Sequence, residues 1–217
     1  MKIFIIGITG RVGSLLARSL QDRGDTVSGL VRRPDQQSAL QDAGIVAAVG
    51  DLTALTPEGL AELTGDVDAL VFTAGAGGGT AEQTTAIDFG GVVTAIAAAD
   101  LRGIRRFGLV SAFPEAWRER HLGAGFEHYM DMKKHADQAL THSDLDWIIL
   151  RPAVLLDEAG TGRIALGPAE LHGDVPRQDV ADTMAELLHE PQITRQILEL
   201  NHGGTPVAEA VQAAVRR

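Results

Sequence analysis

Residues 3–13 read Ile3-Phe4-Ile5-Ile6-Gly7-Ile8-Thr9-Gly10-Arg11-Val12-Gly13, and this stretch decides the fold. Four apolar residues before Gly7 suit a buried strand and are too few for a helix. From Arg11 onward, Val12, Leu15, Leu16 and Leu20 recur at helical spacing, and Gly24 supplies a stop. A strand that turns through glycines straight into a helix offers the free N–H groups of that helix to an anion. In this reading Gly7 makes the turn, Gly10 lets the backbone approach a pyrophosphate, and Gly13 lets the helix lie on the sheet. Thr9, Arg11 and Val12 complete the cofactor-facing loop. The spacing is GxxGxxG, with Thr9 where a GxGxxG loop has glycine.

Working outward, a second strand is expected over 26–31, a polar helix over 35–43 and a third strand over 45–49. Thr56-Pro57-Glu58 opens a short helix, with a threonine cap and proline in the first turn. Strands over 69–72, 106–110, 147–150 and 197–200 alternate with helices over 82–100, 126–142, 178–190 and 206–215. Alternation of this kind requires right-handed crossovers and a parallel sheet covered on both faces. The expected architecture is one α/β domain over 1–217, a doubly wound parallel sheet of Rossmann type. A small, loop-built substrate region is expected within 113–126 and 155–175.

Composition narrows the function classes. The net charge is −10 and no basic run offsets it, so neither nucleic acid nor an anionic membrane is an expected partner. The chain has no cysteine, which removes disulfides, thiolate metal sites and cysteine nucleophiles and fits a reducing, cytoplasmic setting. The opening apolar run is too short for a signal-peptide core, and no later run approaches the roughly 18 residues of a membrane span.

The second strand ends Val31-Arg32-Arg33 and carries no acid. NAD-preferring loops place Asp or Glu there for the ribose 2′-hydroxyl. A guanidinium instead suits a 2′-phosphate. Arg32 and Arg33, with Arg11 in the glycine loop, therefore favour NADP(H) over NAD(H); the alternative is solvated charge at a strand end. Gly50-Asp51-Leu52 follows the third strand, and Asp51 reads equally as a turn or helix-cap residue. Ala74-Gly75-Ala76 follows the fourth, where small residues let a ribose lie close.

Tyr129 is the only tyrosine, and Lys133 follows it by four residues. On a helix these positions share a face. The ammonium charge would favour an ionised phenol and could also reach a nicotinamide ribose. A phenol so placed can protonate the oxygen formed when a carbonyl is reduced. Ser111 ends the fifth strand and puts a hydroxyl at the same edge of the sheet.

Ser111, Tyr129 and Lys133 match the Ser-Tyr-Lys set of the short-chain dehydrogenase/reductase superfamily. Tyr129 through Lys133 to Ala136-Asp137, then Ser143 to Pro152, resembles the YxxxKxxAE…SGLDWTILRP stretch of its atypical members, the NmrA-like and biliverdin-IXβ/flavin-reductase-like proteins. Arg177-Gln178-Asp179-Val180-Ala181 resembles their R-x-DVA helix start. The resemblance covers nearly the whole chain. It implies that Asp51 and the following Leu52 N–H face the adenine, and that Pro152 to Val154 flank the nicotinamide. Ser111-Ala112 stands where many relatives have two serines, and Asp144 where they have glycine.

His121, His128, His135 and His142 lie seven apart. On a helix that is about 10.5 Å, too far for one metal ion, so a solvated stripe is expected and no metal site. Residues 117–120 read equally as a substrate lid or a surface turn. Nucleotide-sugar epimerases need a larger C-terminal part than follows Pro152, which favours a small or flat carbonyl, quinone or flavin-like acceptor. The expected activity is NADPH-dependent reduction; the alternative is an NmrA-like NADP(H) sensor. Monomer and homodimer are both open.

Overall fold

In the computed structural model, which describes residues 1–215, β1 (Lys2–Ile6) is the pivot of the sheet. It pairs in parallel with β2 (Thr26–Val31) on one side and β4 (Ala69–Phe72) on the other. Ile3 and Ile5 enter the core on one face while Phe4 and Ile6 enter it on the other, all at most 1% exposed. Burial on both faces makes the run continuously apolar.

Beyond β2 lies β3 (Val46–Val49) at one edge. Beyond β4 come β5 (Arg106–Val110), β6 (Asp146–Pro152) and β10 (Gln196–His202), all parallel. Helices α1 (Arg11–Asp22), α2 (Pro34–Asp42), α7 (Arg177–His189) and α8 (Val207–Ala213) cover the face of Ile3 and Ile5. The face of Phe4 and Ile6 is covered by α3 (Pro57–Thr64), α5 (Gly91–Arg102) and α6 (Ala124–Thr141). The chain order reverses between β1 and β4, so the crevice past their carboxyl ends is the ligand position of a Rossmann sheet.

The sheet is not wholly parallel, as the alternation had implied. β8 (Arg163–Gly167) pairs antiparallel with β10, and β11 (Thr205–Pro206) antiparallel with β8. β7 (Val154–Leu156) and β9 (Asp174–Pro176) form a separate parallel pair. These four strands are at most five residues long, and only β8 carries an alternating pattern, Ile164 and Leu166, inside a glycine-rich stretch.

The helix expected over 82–100 is a 22-residue rod, Ala81–Arg102. It begins as α4 (Ala81–Thr84), passes through a π-helical stretch Thr85–Gly90, and continues as α5. Its length and composition alone would suit a membrane span. Its apolar residues Val92, Ala95, Ala98 and Ala99 are instead fully buried against the sheet.

Candidate active site

Gly7 has φ +91°, and a Cβ on it would stand 2.5 Å from the Ala74 nitrogen, so the two loops at the switch point touch backbone to backbone. The Gly7 carbonyl accepts the Gly10 N–H at 2.8 Å. Gly10 caps α1 in an extended conformation with no side-chain cap. The N–H groups of Arg11, Val12 and Gly13 have no acceptor among the described residues, and a helix start left open in this way fits a phosphate. Thr9 is fixed from the side, its Oγ1 3.5 Å from Gln36 Nε2, while Gln36 Oε1 accepts the backbone N–H groups of Arg32 and Arg33.

The three arginines do not all stand free. Arg33 is held by Asp35, with Nε 3.0 Å from Oδ1, and that hydrogen bond raises its pKa. Arg11 reaches Asp157 at 2.9 Å, and Asp157 also holds Arg177 at 2.6 Å. Arg32 faces Asp51. Asp51 Oδ1 accepts the N–H and hydroxyl of Thr53 at 3.0 and 2.8 Å, so the residue closes a turn. These hydrogen bonds, with a smaller effect of Arg32, lower its carboxyl pKa against a partial burial. Leu52 packs against Gly91, where a Cβ would come within 2.8 Å of it.

Tyr129 and Lys133 lie on one face of α6, the ammonium 5.9 Å from the ring centroid. Tyr129 is half-buried and its hydroxyl makes no hydrogen bond among the described residues. Lys133 is 3% exposed and donates to the Val110 carbonyl at 3.3 Å. This places it directly under the end of β5, where Ser111 N–H donates to the Leu150 carbonyl. Two carboxylates missed by sequence reasoning share this region. Asp88, in the π-helical stretch, lies 3.6 Å from Lys133 Nζ and accepts the Ala76 N–H. Asp137, one further turn along α6, accepts Arg151 at 2.9 Å. Burial raises the Asp137 pKa, opposed by Ser111, Arg151 and Lys133. Ser111 is buried beside Asp137, and its hydroxyl makes no hydrogen bond among the described residues. The only available sequence signal for Asp88 was a lone acid among apolar helix residues.

Pro152 ends β6 beside this cluster. Ala153 N–H then donates to Leu200, and Val154 N–H to the Gly173 carbonyl, which carries the chain from the main sheet to the β7–β9 pair. The two loop regions expected to bind substrate meet. The His172 ring packs edge-on against Phe113 at 5.0 Å and Trp117 at 4.9 Å, and Arg120 lies 4.5 Å over Trp117. The Arg118 side chain lies outside the described residues. Of the histidine stripe, His121, His135 and His142 are exposed and His128 is half-buried; His128 Nε2 lies 2.9 Å from Thr85 Oγ1, and the exposed His135 ring lies against Phe89.

A family model described as NAD(P)H-binding matches residues 7–191, from the glycine turn through α7. The chain belongs to that family. The chain is 36% identical to the uncharacterized sugar epimerase YhfK of Bacillus subtilis (strain 168), covering 98% of this chain and 99% of that one. A solved structure from Bacillus halodurans, assigned as an NAD-dependent epimerase/dehydratase, is 31% identical and superposes with a TM-score of 0.90 over 98% of this chain and 99% of that one. ChuY of Escherichia coli O157:H7, described as an anaerobilin reductase, is 26% identical with a TM-score of 0.78, over 93% and 97%. The family and these likenesses place the protein in an atypical, short-chain dehydrogenase/reductase-like superfamily with a Rossmann-type sheet.

Proposed function

We propose that the protein is an NADPH-dependent oxidoreductase that reduces a small or flat acceptor, with Tyr129 as proton donor. The observation that carries the reading is the buried Lys133 ammonium, hydrogen-bonded to Val110 at the carboxyl rim and set beside the half-buried Tyr129 ring. The open amides of Arg11, Val12 and Gly13 would hold the pyrophosphate, with Gly7, Gly10 and Thr9 shaping the turn. Arg32 would meet the 2′-phosphate, since Arg33 is engaged by Asp35 and Arg11 by Asp157. Asp51 and Leu52 would border the adenine, Ala74 to Ala76 the ribose, and Pro152 to Val154 the nicotinamide.

When bound, the nicotinamide supplies the reducing equivalents. The chain's own part is proton handling: the Tyr129 hydroxyl gives its proton to the acceptor oxygen, and the Lys133 charge stabilises the phenolate left behind. Ser111, whose buried hydroxyl has no partner among the described residues, would orient the same oxygen. Most of the chain after Pro152 completes the main sheet and its covering helices, and the acceptor region is left to β7, β9 and the Phe113–Trp117–His172 cluster. A wall built from these packed rings favours a planar carbonyl, quinone, flavin or linear tetrapyrrole-like acceptor over a nucleotide sugar. The description of ChuY as a reductase supports the same class.

The test is a panel of quinones, flavins and small carbonyls with NADPH. Oxidation of NADPH by one of them, lost in Tyr129→Phe, is the expected result. Binding of NADPH without turnover of any acceptor replaces this reading with that of a cofactor sensor.

A further inference from the structure

We propose that Asp88 is the positioning residue of the Tyr129–Lys133 pair, one carboxylate oxygen holding the Lys133 ammonium and the other the Ala76 N–H of the loop after β4. Its structural half rests on geometry, and its functional half rests on the proton-donor reading above.

Asp88 is 1% exposed and Lys133 3%. The ammonium lies 3.6 Å from Asp88 Oδ1, while Oδ2 accepts Ala76 N–H at 3.0 Å. Oδ1 makes no hydrogen bond, so its compensation is the ammonium charge itself. A carboxylate buried this deeply is costly unless paired. The neighbouring glycine gives it room, since a Cβ on Gly75 would stand 3.1 Å from Oδ1. The residue lies in the π-helical stretch of the Ala81–Arg102 rod, a local form that recurs at functional sites.

The two contacts connect groups with different tasks. A protonated ammonium has three donors. Val110 takes one at 3.3 Å and Asp88 faces a second, which leaves the third for the cleft. Through Oδ2 the same carboxylate fixes the loop expected to lie along the cofactor ribose. Asp88 therefore sets the ammonium and that loop in one register. Asparagine would preserve the shape and an acceptor for Ala76, while putting an uncharged amide donor in place of the charged oxygen against the ammonium.

A thermal-unfolding cycle of wild type, Asp88→Asn, Lys133→Met and the double variant tests the hold, and steady-state kinetics tests its purpose. Asp88→Asn is expected to lower the unfolding midpoint, with the loss at least halved in the Lys133→Met background. It is also expected to reduce kcat about tenfold while KM for NADPH stays within about threefold. Equal losses in both backgrounds overturn the pairing, and an unchanged kcat overturns the positioning role. If Asp88→Asn alone does not fold, rescue in the double variant supports the pairing and its failure refutes it. With no acceptor turned over, or Tyr129→Phe fully active, the proton-donor reading fails by itself, and the unfolding cycle still decides whether Asp88 holds Lys133.

Discussion

The carbonyl oxygen of Gly7 occupies the space that a side chain on Gly13 would need. A Cβ there would also meet Thr73 Oγ1 at 2.7 Å, and that hydroxyl donates to the Ile6 carbonyl at 3.1 Å. The first helix, the glycine turn and the end of β4 are thus in direct backbone contact. Gly10 differs: the Gly7 oxygen, 3.0 Å from a Cβ built on it, is the only atom within 4 Å among the described residues.

Two glycines of one motif therefore answer to different demands. Gly13→Ala should destabilise the protein by about 2 kcal/mol or more, as overpacking of a rigid backbone contact does. Gly10→Ala keeps an allowed extended backbone, so its unfolding midpoint should move by no more than about 3 °C. Its NADPH affinity should still fall about tenfold, because the methyl group intrudes where the phosphates meet the helix. Thermal unfolding with a fluorescence titration of NADPH reads both; equal stability losses at the two positions would refute the division.

Cofactor choice should be concentrated in Arg32. Arg33 is committed to Asp35, and Arg11 shares Asp157 with Arg177. Arg32→Ala is expected to weaken NADPH binding about tenfold, the scale of one charge-assisted contact, and leave NADH unchanged. Arg33→Ala should weaken NADPH by less than about threefold. Titrations at low and moderate salt decide it, since the Arg32 effect should shrink as salt rises. A larger effect at Arg33, or equal losses of both cofactors, would contradict the assignment.

The elements legible in the sequence were those whose signal is local. Ile3 to Ile6 and Ala69 to Phe72 are apolar runs bounded by turn residues, which only a buried strand satisfies. Tyr129 and Lys133 were legible as a pair because helical spacing alone puts them on one face. β8, β11 and the β7–β9 pair were not, because two to five residues at a sheet margin carry too little pattern against their glycines. The π-helical stretch was equally hidden: an apolar, alanine-rich run reads as helix whichever hydrogen bond closes its turns. Asp88 and Asp137 look like ordinary solvated acids until folding sets them against Lys133 and Arg151.

Asp137 should leave a signature in the pH dependence of stability. Burial raises its carboxyl pKa above the ordinary 3.8, despite Ser111, Arg151 and Lys133 nearby. A raised carboxylate pKa means that the folded state binds the proton more tightly than the unfolded chain. Its contribution is therefore fully present below 3.8 and is lost as pH rises through the folded value. Asp137→Asn removes that titration along with the charge received by Arg151. Wild type should consequently lose stability relative to Asp137→Asn as pH is raised from 3.8, measured as urea midpoints across the series. Parallel curves for the two proteins would show that Asp137 is not held with a raised pKa.

On the acceptor side, the His172 ring sits between Phe113 and Trp117. Burial lowers the His172 pKa below 6.5, and the positive charge of Arg120 adds to this against the weaker pull of Glu119 and Glu199. A histidine with a depressed pKa contributes to the packed arrangement fully above 6.5, and that contribution is lost as pH falls through its folded value. If this cluster forms the acceptor wall, KM for the acceptor should stay level from pH 7.5 down past 6.5 and rise severalfold only as pH falls through the lowered folded value, while KM for NADPH stays level. Trp117→Ala should raise acceptor KM at every pH, because it removes an aromatic face worth about 1 kcal/mol beyond its area. His172→Phe preserves the edge-on packing without a titrating group, so its acceptor KM should be flat across the same range. A pH-dependent KM that persists in His172→Phe would place the titration elsewhere, and an unchanged KM in Trp117→Ala would place the acceptor away from this wall.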